Sequence, residues 1–359
     1  MRRLENILSG SDGTLVAGAA RGALWLATQP YGLAVSMRNW MYDRGWLARE
    51  RAGVPVVSIG NLTAGGTGKT PAAVFLSHWF RAQGVRVAIL SRGYGALQDG
   101  MNDEAKELES RLPDVPHLQS PDRVATARIA VEELEMELLL LDDGFQHRRL
   151  QRDLDLVLLD ATEPFGFGHL LPRGLLREPI SALRRADVVM ATRADQVSSQ
   201  VLAELRTRVQ RYNPRAAWIE TEHAPVAWFN ASGACEPVEA LCGKRALAIS
   251  AIGNPKAFAK TLEGIGLDVV ESMTFPDHHP FSAADVAAIE RRLLELQPAV
   301  EVCVCTGKDL VKLGTDRLGG IGLWALWIEM KVRTGAEILD EHLMRVVGLV
   351  RPGEDGSNG

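Results

Sequence analysis

Residues 54–70 read Val-Pro-Val-Val-Ser-Ile-Gly-Asn-Leu-Thr-Ala-Gly-Gly-Thr-Gly-Lys-Thr, and no other stretch restricts the possible folds as much. A short apolar run breaks into glycines and ends on Lys-Thr, the pattern of a buried strand, a tight loop and the start of a helix. The loop presents bare backbone N–H groups that can wrap phosphate oxygens, and the helix dipole favours negative charge at its N-terminus. Lys69 would reach the terminal phosphates of a nucleotide, and the Thr70 hydroxyl would hold Mg²⁺. The strict pattern has glycine where Thr63 stands; Gly65 and Gly66 form a doublet instead. The candidate cradle is therefore Thr63, Ala64, Gly65, Gly66, Thr67, Gly68, Lys69 and Thr70, against the blander reading of a glycine-rich turn with no ligand.

A chain of 359 residues, 46% hydrophobic, is long enough for two cores. Its formal charge of -5 argues against a nucleic-acid partner. The four cysteines, Cys235, Cys242, Cys303 and Cys305, include no pair of CxxC motifs, so neither a disulfide framework nor a zinc site is indicated, and a reducing, cytoplasmic setting fits. Residues 13–42 hold no carboxylate and only Arg21 and Arg38 as charges, among Leu, Val, Ala, Trp25, Tyr31, Trp40 and Met41. Glycines and Arg21 interrupt the run too often for a signal peptide or a bilayer span. A surface-lying amphipathic helix accommodates it, and an ordinary helix packed on the core is the alternative.

Strand and helix patterns alternate after the loop, which predicts an α/β fold: a P-loop NTPase-like, mainly parallel sheet with helices on both faces. A helix over 71–83 stops at Gly84, and the strand over 85–90 ends in Ser-Arg-Gly-Tyr-Gly, placing Arg92 and Tyr94 at the carboxyl edge where ligands bind. A polar loop follows with Asn102-Asp103-Glu104; Asp103 is a general base or, by spacing alone, a helix N-cap. Four leucines at 138–141 then run into Asp142-Asp143-Gly-Phe-Gln-His, the form of a strand that carries a carboxylate to Mg²⁺. A strand over 154–159 closes on Asp160, and 164–179 is a Gly/Pro/aromatic segment bearing Arg173, Arg177 and Glu178, suited to a lid or an acceptor surface. The strand over 186–191 ends Thr192-Arg193-Ala194-Asp195, which resembles the guanine-reading motif of GTPases with Arg for Lys, so GTP stays open as donor. The predicted layout is an N-terminal membrane-associated segment at 1–50, a nucleotide-binding domain at 51–222, a linker at 223–244 and a smaller C-terminal α/β domain at 245–359. Within the last, Phe275-Pro-Asp-His-His-Pro-Phe281 follows a strand; its histidines can carry a proton, bind metal or simply be solvated.

Taken together, Gly-Asn-Leu-Thr-Ala-Gly-Gly-Thr-Gly-Lys-Thr, Ser-Arg-Gly-Tyr-Gly, Asn-Asp-Glu, Asp-Asp-Gly-Phe-Gln-His, Leu-Pro-Arg-Gly-Leu-Leu-Arg-Glu-Pro and Asp-His-His resemble the tetraacyldisaccharide 4′-kinase (lipid A 4′-kinase) family. The resemblance implies transfer of the γ-phosphate of ATP, with Mg²⁺, to the 4′-hydroxyl of an acylated glucosamine disaccharide 1-phosphate. It also implies a peripheral or monotopic position on the cytoplasmic face of a Gram-negative inner membrane, with the lipid A precursor and the membrane surface as partners and no obligatory protein partner. Carried over by motif, Asp103 is the catalytic aspartate and His278 its partner, with Lys69 on the phosphates. Thr70, Asp142 and Asp143 face the metal, Arg92, Tyr94, Arg123 and Arg177 meet phosphates or the acceptor, and Glu178 assists the metal. His278 would come from the C-terminal domain, so closure over the substrates is expected. The competing class is a membrane-associated P-loop NTPase switch. The glycine doublet also resembles the Lys-Gly-Gly-x-Gly-Lys-Thr loop of membrane-partitioning ATPases, but Ala64 occupies the position of that loop's first lysine.

Overall fold

The computed structural model describes residues 8, 10–93, 108–109, 111–277 and 279–351. The chain divides into two compact units: residues 1–94, 112–222 and 332–359 form the first, and 95–111 with 223–331 the second.

The first unit opens with helix α1 (Leu15–Asp43), capped by the Thr14 hydroxyl, which accepts from the Ala17 N–H. Its packed positions are the small or polar Ala17, Thr28 and Asn39, whereas Leu15, Val16, Trp25, Leu26, Leu33, Met37 and Trp40 are exposed. That inverts the ordinary rule for a core-facing helix. Among the described residues no helix is long and apolar enough to cross a membrane. Then come β1 (Val56–Asn61), α2 (Lys69–Ala82), β2 (Val87–Ser91), β3 (His117–Gln119), α3 (Arg123–Glu132), β4 (Leu138–Asp142), β5 (Leu154–Asp160), β6 (Val188–Thr192), α4 (Ser199–Tyr212) and the start of β7 (Ala217–Phe229). The strands lie in the order β7-β6-β5-β1-β4-β2-β3 and pair in parallel: β1 with β4 and β5, β2 with β3 and β4, β6 with β5 and β7. Strands β1, β2, β4, β5 and β6 are buried along their whole length, as parallel strands covered on both faces must be. Since β2, β3 and β4 lie on one side of β1 and β5, β6 and β7 on the other, the carboxyl end of β1 is the crevice where ligands bind in such sheets.

The second unit holds the rest of β7, then β8 (Cys235–Pro237), β9 (Arg245–Ser250), α5 (Pro255–Gly264), β10 (Asp268–Thr274), α6 (Ala283–Leu296), β11 (Val302–Thr306), α7 (Gly307–Leu313), β12 (Arg317–Leu318) and most of β13 (Ile321–Thr334). Strands β10, β9, β11 and β13 are parallel neighbours in that order, and β12 folds back antiparallel on β13. The chain returns to the first unit for α8 (Ala336–Val350). Two features depart from the expected layout. Residues 223–244 are built into β7, β8 and a short 3-10 turn rather than a linker, because Trp228 is fully buried and its Nε1 donates to the Val238 carbonyl at 3.0 Å. The closing helix belongs with the nucleotide-binding core rather than with the C-terminal domain.

Candidate functional site

The site is built around the carboxyl end of β1. Asn61, buried at the strand's last position, donates through Nδ2 to the Thr63 carbonyl at 2.8 Å and turns the chain into the loop. The incoming limb is pinned to segment 164–179: the Arg177 N–H donates to the Leu62 carbonyl and the Ala64 N–H to the Leu175 carbonyl, each at 2.7 Å. The Ala64 N–H is thereby spent, which leaves phosphate wrapping to the residues after it. Gly65 (φ 123°) and Gly68 (φ 91°) adopt backbone conformations that side chains disfavour. Helix α2 starts at Lys69 with no side-chain cap, so its first N–H groups remain available to an anion.

Opposite the loop, β4 delivers the two acids, in register beside β1 through the pair Ile59 and Asp142. Asp143 lies in the left-handed region (φ 50°), and Arg177 grips its carboxylate bidentately, Nη1 to Oδ2 and Nη2 to Oδ1 at 2.8 Å each. Arg177 Nη2 also bonds Asn61 Oδ1. Lys69 Nζ stands 3.6 Å from Asp143 Oδ1, and the buried Arg123 donates to the Asp143 carbonyl at 3.1 Å. Burial pushes the Asp143 carboxyl up, but the Arg177 hydrogen bonds and the charges of Lys69, Arg177 and Arg123 outweigh it and hold the group far below the usual carboxylate range.

These contacts bear on the expected metal set. The sequence places Asp143 beside Asp142 as a metal-facing group; its carboxylate is instead committed to Arg177 and Lys69. Glu178, expected to assist the metal, is fully buried, with one oxygen on Arg38 of α1 at 2.9 Å and the other on Arg185 at 2.7 Å. The other two expected ligands, the Thr70 hydroxyl and Asp142, are hard oxygen donors of the kind Mg²⁺ takes. Among the described residues there is no cluster of three or more His, Cys, Asp and Glu that could hold a metal.

Arg92 is exposed just past the end of β2, and its charge, with that of Arg177, acts on Arg123. Tyr94, Asp103 and His278 lie outside the described residues. His279, next in sequence to His278, stacks on Phe275 at 5.1 Å and meets Asp285 through Nε2 at 3.0 Å, the arrangement of a fixed side chain rather than a solvated one. Sequence reasoning gives no role to Asn61 or Asp160. It reads Arg193 only as part of a base-reading motif, yet the Arg193 guanidinium turns to Asp160 and the Gly66 carbonyl, and Asp195 is exposed. The available signal is a polar residue ending each of three buried strands at the same sheet edge.

With this geometry in place, comparison with known proteins is informative. A family model described as tetraacyldisaccharide-1-P 4′-kinase matches residues 20–347. The tetraacyldisaccharide 4′-kinase of Anaeromyxobacter dehalogenans (strain 2CP-C) is 44% identical over 349 residues, covering 91% of each chain. That of Syntrophus aciditrophicus is 38% identical, over 88% of this chain and 89% of the relative. Among solved structures, LpxK from Aquifex aeolicus in complex with ATP superposes with a TM-score of 0.69 at 29% identity, covering 91% of this chain and 99% of that one.

Proposed function

The chain belongs to the tetraacyldisaccharide 4′-kinase family and has that kinase activity in lipid A biosynthesis, and from this premise we propose how its residues divide the work. Residues 65–70 hold the phosphates of ATP through backbone N–H groups and Lys69, and the ATP held by the Aquifex relative supports that reading. Thr70 and Asp142 would hold Mg²⁺, which would offset the negative charge of the phosphates during transfer. Arg177 and Arg123 surround Asp143 with positive charge and, with Arg92, face the anionic groups of donor and acceptor. Asp103 accepts the proton of the attacking 4′-hydroxyl and His278 orients it, an assignment resting on their motifs alone. Helix α1 lies on the cytoplasmic face of the inner membrane and brings the site to its lipid; the support is its row of exposed Trp, Leu and Met side chains over a small and polar inner face.

The observation that carries the donor reading is the convergence of Lys69, Arg123 and Arg177 on Asp143 beside an uncapped helix N-terminus. The decisive experiment follows γ-labelled ATP with the disaccharide lipid in mixed micelles. Label on the lipid, dependent on Mg²⁺ and abolished by Lys69→Ala, is expected; lipid-stimulated release of free phosphate with no labelled lipid would identify an NTPase switch instead.

A further inference from the structure

In a phosphate-wrapping loop the N–H groups must face the anion, and because a trans peptide holds C=O and N–H on opposite sides, the carbonyls must then face the protein. Each turned-back carbonyl needs a donor or pays for its burial. Two successive carbonyls of this loop find donors on the residues that end β6. The Thr192 hydroxyl, fully buried, donates to the Thr67 carbonyl at 3.0 Å. Both terminal nitrogens of Arg193 donate to the Gly66 carbonyl, each at 3.2 Å. Arg193 is aimed by an ion pair with Asp160 at the end of β5, whose other oxygen accepts from the N–H and hydroxyl of Thr162 at 3.0 and 2.6 Å. Arg193 also sits in the left-handed region (φ 55°), a costly conformation for a side chain this size, which persists where the surroundings impose it.

We propose that Arg193, aimed by Asp160 and assisted by Thr192, is a positioning residue for phosphoryl transfer: it holds the Gly66 and Thr67 peptides so that the Thr67 and Gly68 N–H groups point into the phosphate cradle. This rests on the loop being the ATP site. The Thr-Arg-Ala-Asp segment at the end of β6 therefore acts on the phosphate end of the donor through its first two residues. Preorganised donors cost no rearrangement when the charge arrives, which is the benefit such a tether provides.

The test uses the full-length protein. Calorimetric Kd for ATP and steady-state KM for ATP and for the lipid are measured for wild type, Arg193→Ala, Arg193→Lys and Thr192→Val, with thermal melts alongside. Loss of the charged donors to the Gly66 carbonyl is expected to weaken ATP roughly ten- to hundred-fold in Arg193→Ala while the lipid KM stays within about two-fold. Arg193→Lys, which keeps one charged donor, should recover part of that loss, and Thr192→Val, which keeps the side-chain volume, should show a smaller loss of the same kind. ATP affinity in Arg193→Ala equal to wild type overturns the proposal. So does equal damage to both substrates without rescue by lysine, and if the alanine variant fails to fold, the lysine and valine variants decide by the same criteria. Failure of the wild type itself to bind ATP would condemn the reading of the loop rather than the tether.

Discussion

Asp142 and Asp143 are adjacent in sequence and sit in different surroundings. Asp142 finishes a buried strand and accepts the Asp143 N–H on Oδ1 at 2.9 Å, while Asp143 has left the strand with positive φ and falls among Lys69, Arg123 and Arg177. A carboxylate so surrounded holds Lys69 and Arg177 beside it. Glu178 follows the same logic further from the chemistry: with both oxygens on arginines and no exposure, it anchors Arg38 of α1 next to the site residue Arg177. His147, at the end of the same Asp-Asp-Gly-Phe-Gln-His run, gives this charge distribution a pH signature. Burial, then the positive charges of Arg123, Arg152 and Arg149, lower its pKa from the ordinary 6.5 to about 4. A histidine whose folded pKa lies below its unfolded value releases protons on folding, so the stability it lends is complete above pH 6.5 and disappears as pH falls through about 4. The expected loss across that window is roughly 2 to 3 kcal/mol. Thermal melts at stepped pH should show it in the wild type and a flatter profile in His147→Gln; an unchanged slope in the variant would assign the acid sensitivity elsewhere.

Among the elements, β1, the loop and α2 were legible because each signal is local: an apolar run, glycines where φ is positive, and a helix-compatible stretch after Lys-Thr. Most other boundaries fell within a few residues for the same reason; β10 at Asp268–Thr274 and α6 at Ala283–Leu296 follow from period-2 and period-3.6 patterns with a Ser282 cap. What pattern does not carry is pairing across distance. Arg193 and Asp160 are 33 residues apart and Arg38 and Glu178 are 140 apart, so nothing in either local sequence announces the partner. Residues 223–244 misled through their Pro, Gly and Asn content, since an edge pairing such as β7 with β8 tolerates turn-forming residues that would break a central strand. Gly60 shows how closely the first elements are fitted. A Cβ there would lie 2.5 Å from Phe145 Cβ and 2.7 Å from the Phe145 nitrogen, so alanine forces the turn after β4 away from β1. Gly60→Ala should cost about 1 to 3 kcal/mol in chemical denaturation. It should also weaken ATP, because the displaced turn carries Asp143; full stability in the variant would show that the turn yields freely.

At the scale of the molecule, α1 combines an exposed apolar row with ties to Arg177 and Glu178. Its 29 residues extend about 43 Å, and its inner side is tied to the first unit at several points. Tyr31 donates its hydroxyl to the Arg177 carbonyl at 2.9 Å, Arg38 meets Glu178, and the buried Arg148 donates to the Asn39 carbonyl at 2.9 Å and pairs with Asp43 at 2.6 Å. A helix held this firmly has no packing need for Trp25 at 50% or Leu33 at 71% exposure, and a row of such residues is a liability in water unless it meets an apolar phase. The double change Trp25→Glu and Leu33→Glu therefore separates two roles. Both side chains already face outward, so folding stability should move by no more than about 0.5 kcal/mol each. Burial of each in a bilayer interface contributes on the order of 1.5 to 3 kcal/mol, so binding to vesicles of phosphatidylethanolamine and phosphatidylglycerol should fall at least roughly hundred-fold. The KM for micellar lipid should rise with it while the Kd for ATP holds, since the ties from α1 to Arg177 and Glu178 run from the opposite side of the helix. Vesicle binding equal to wild type would show that the protein meets its lipid through another face. A parallel loss of ATP affinity would show that α1 acts on the donor site through Tyr31 and Arg38 rather than by docking alone.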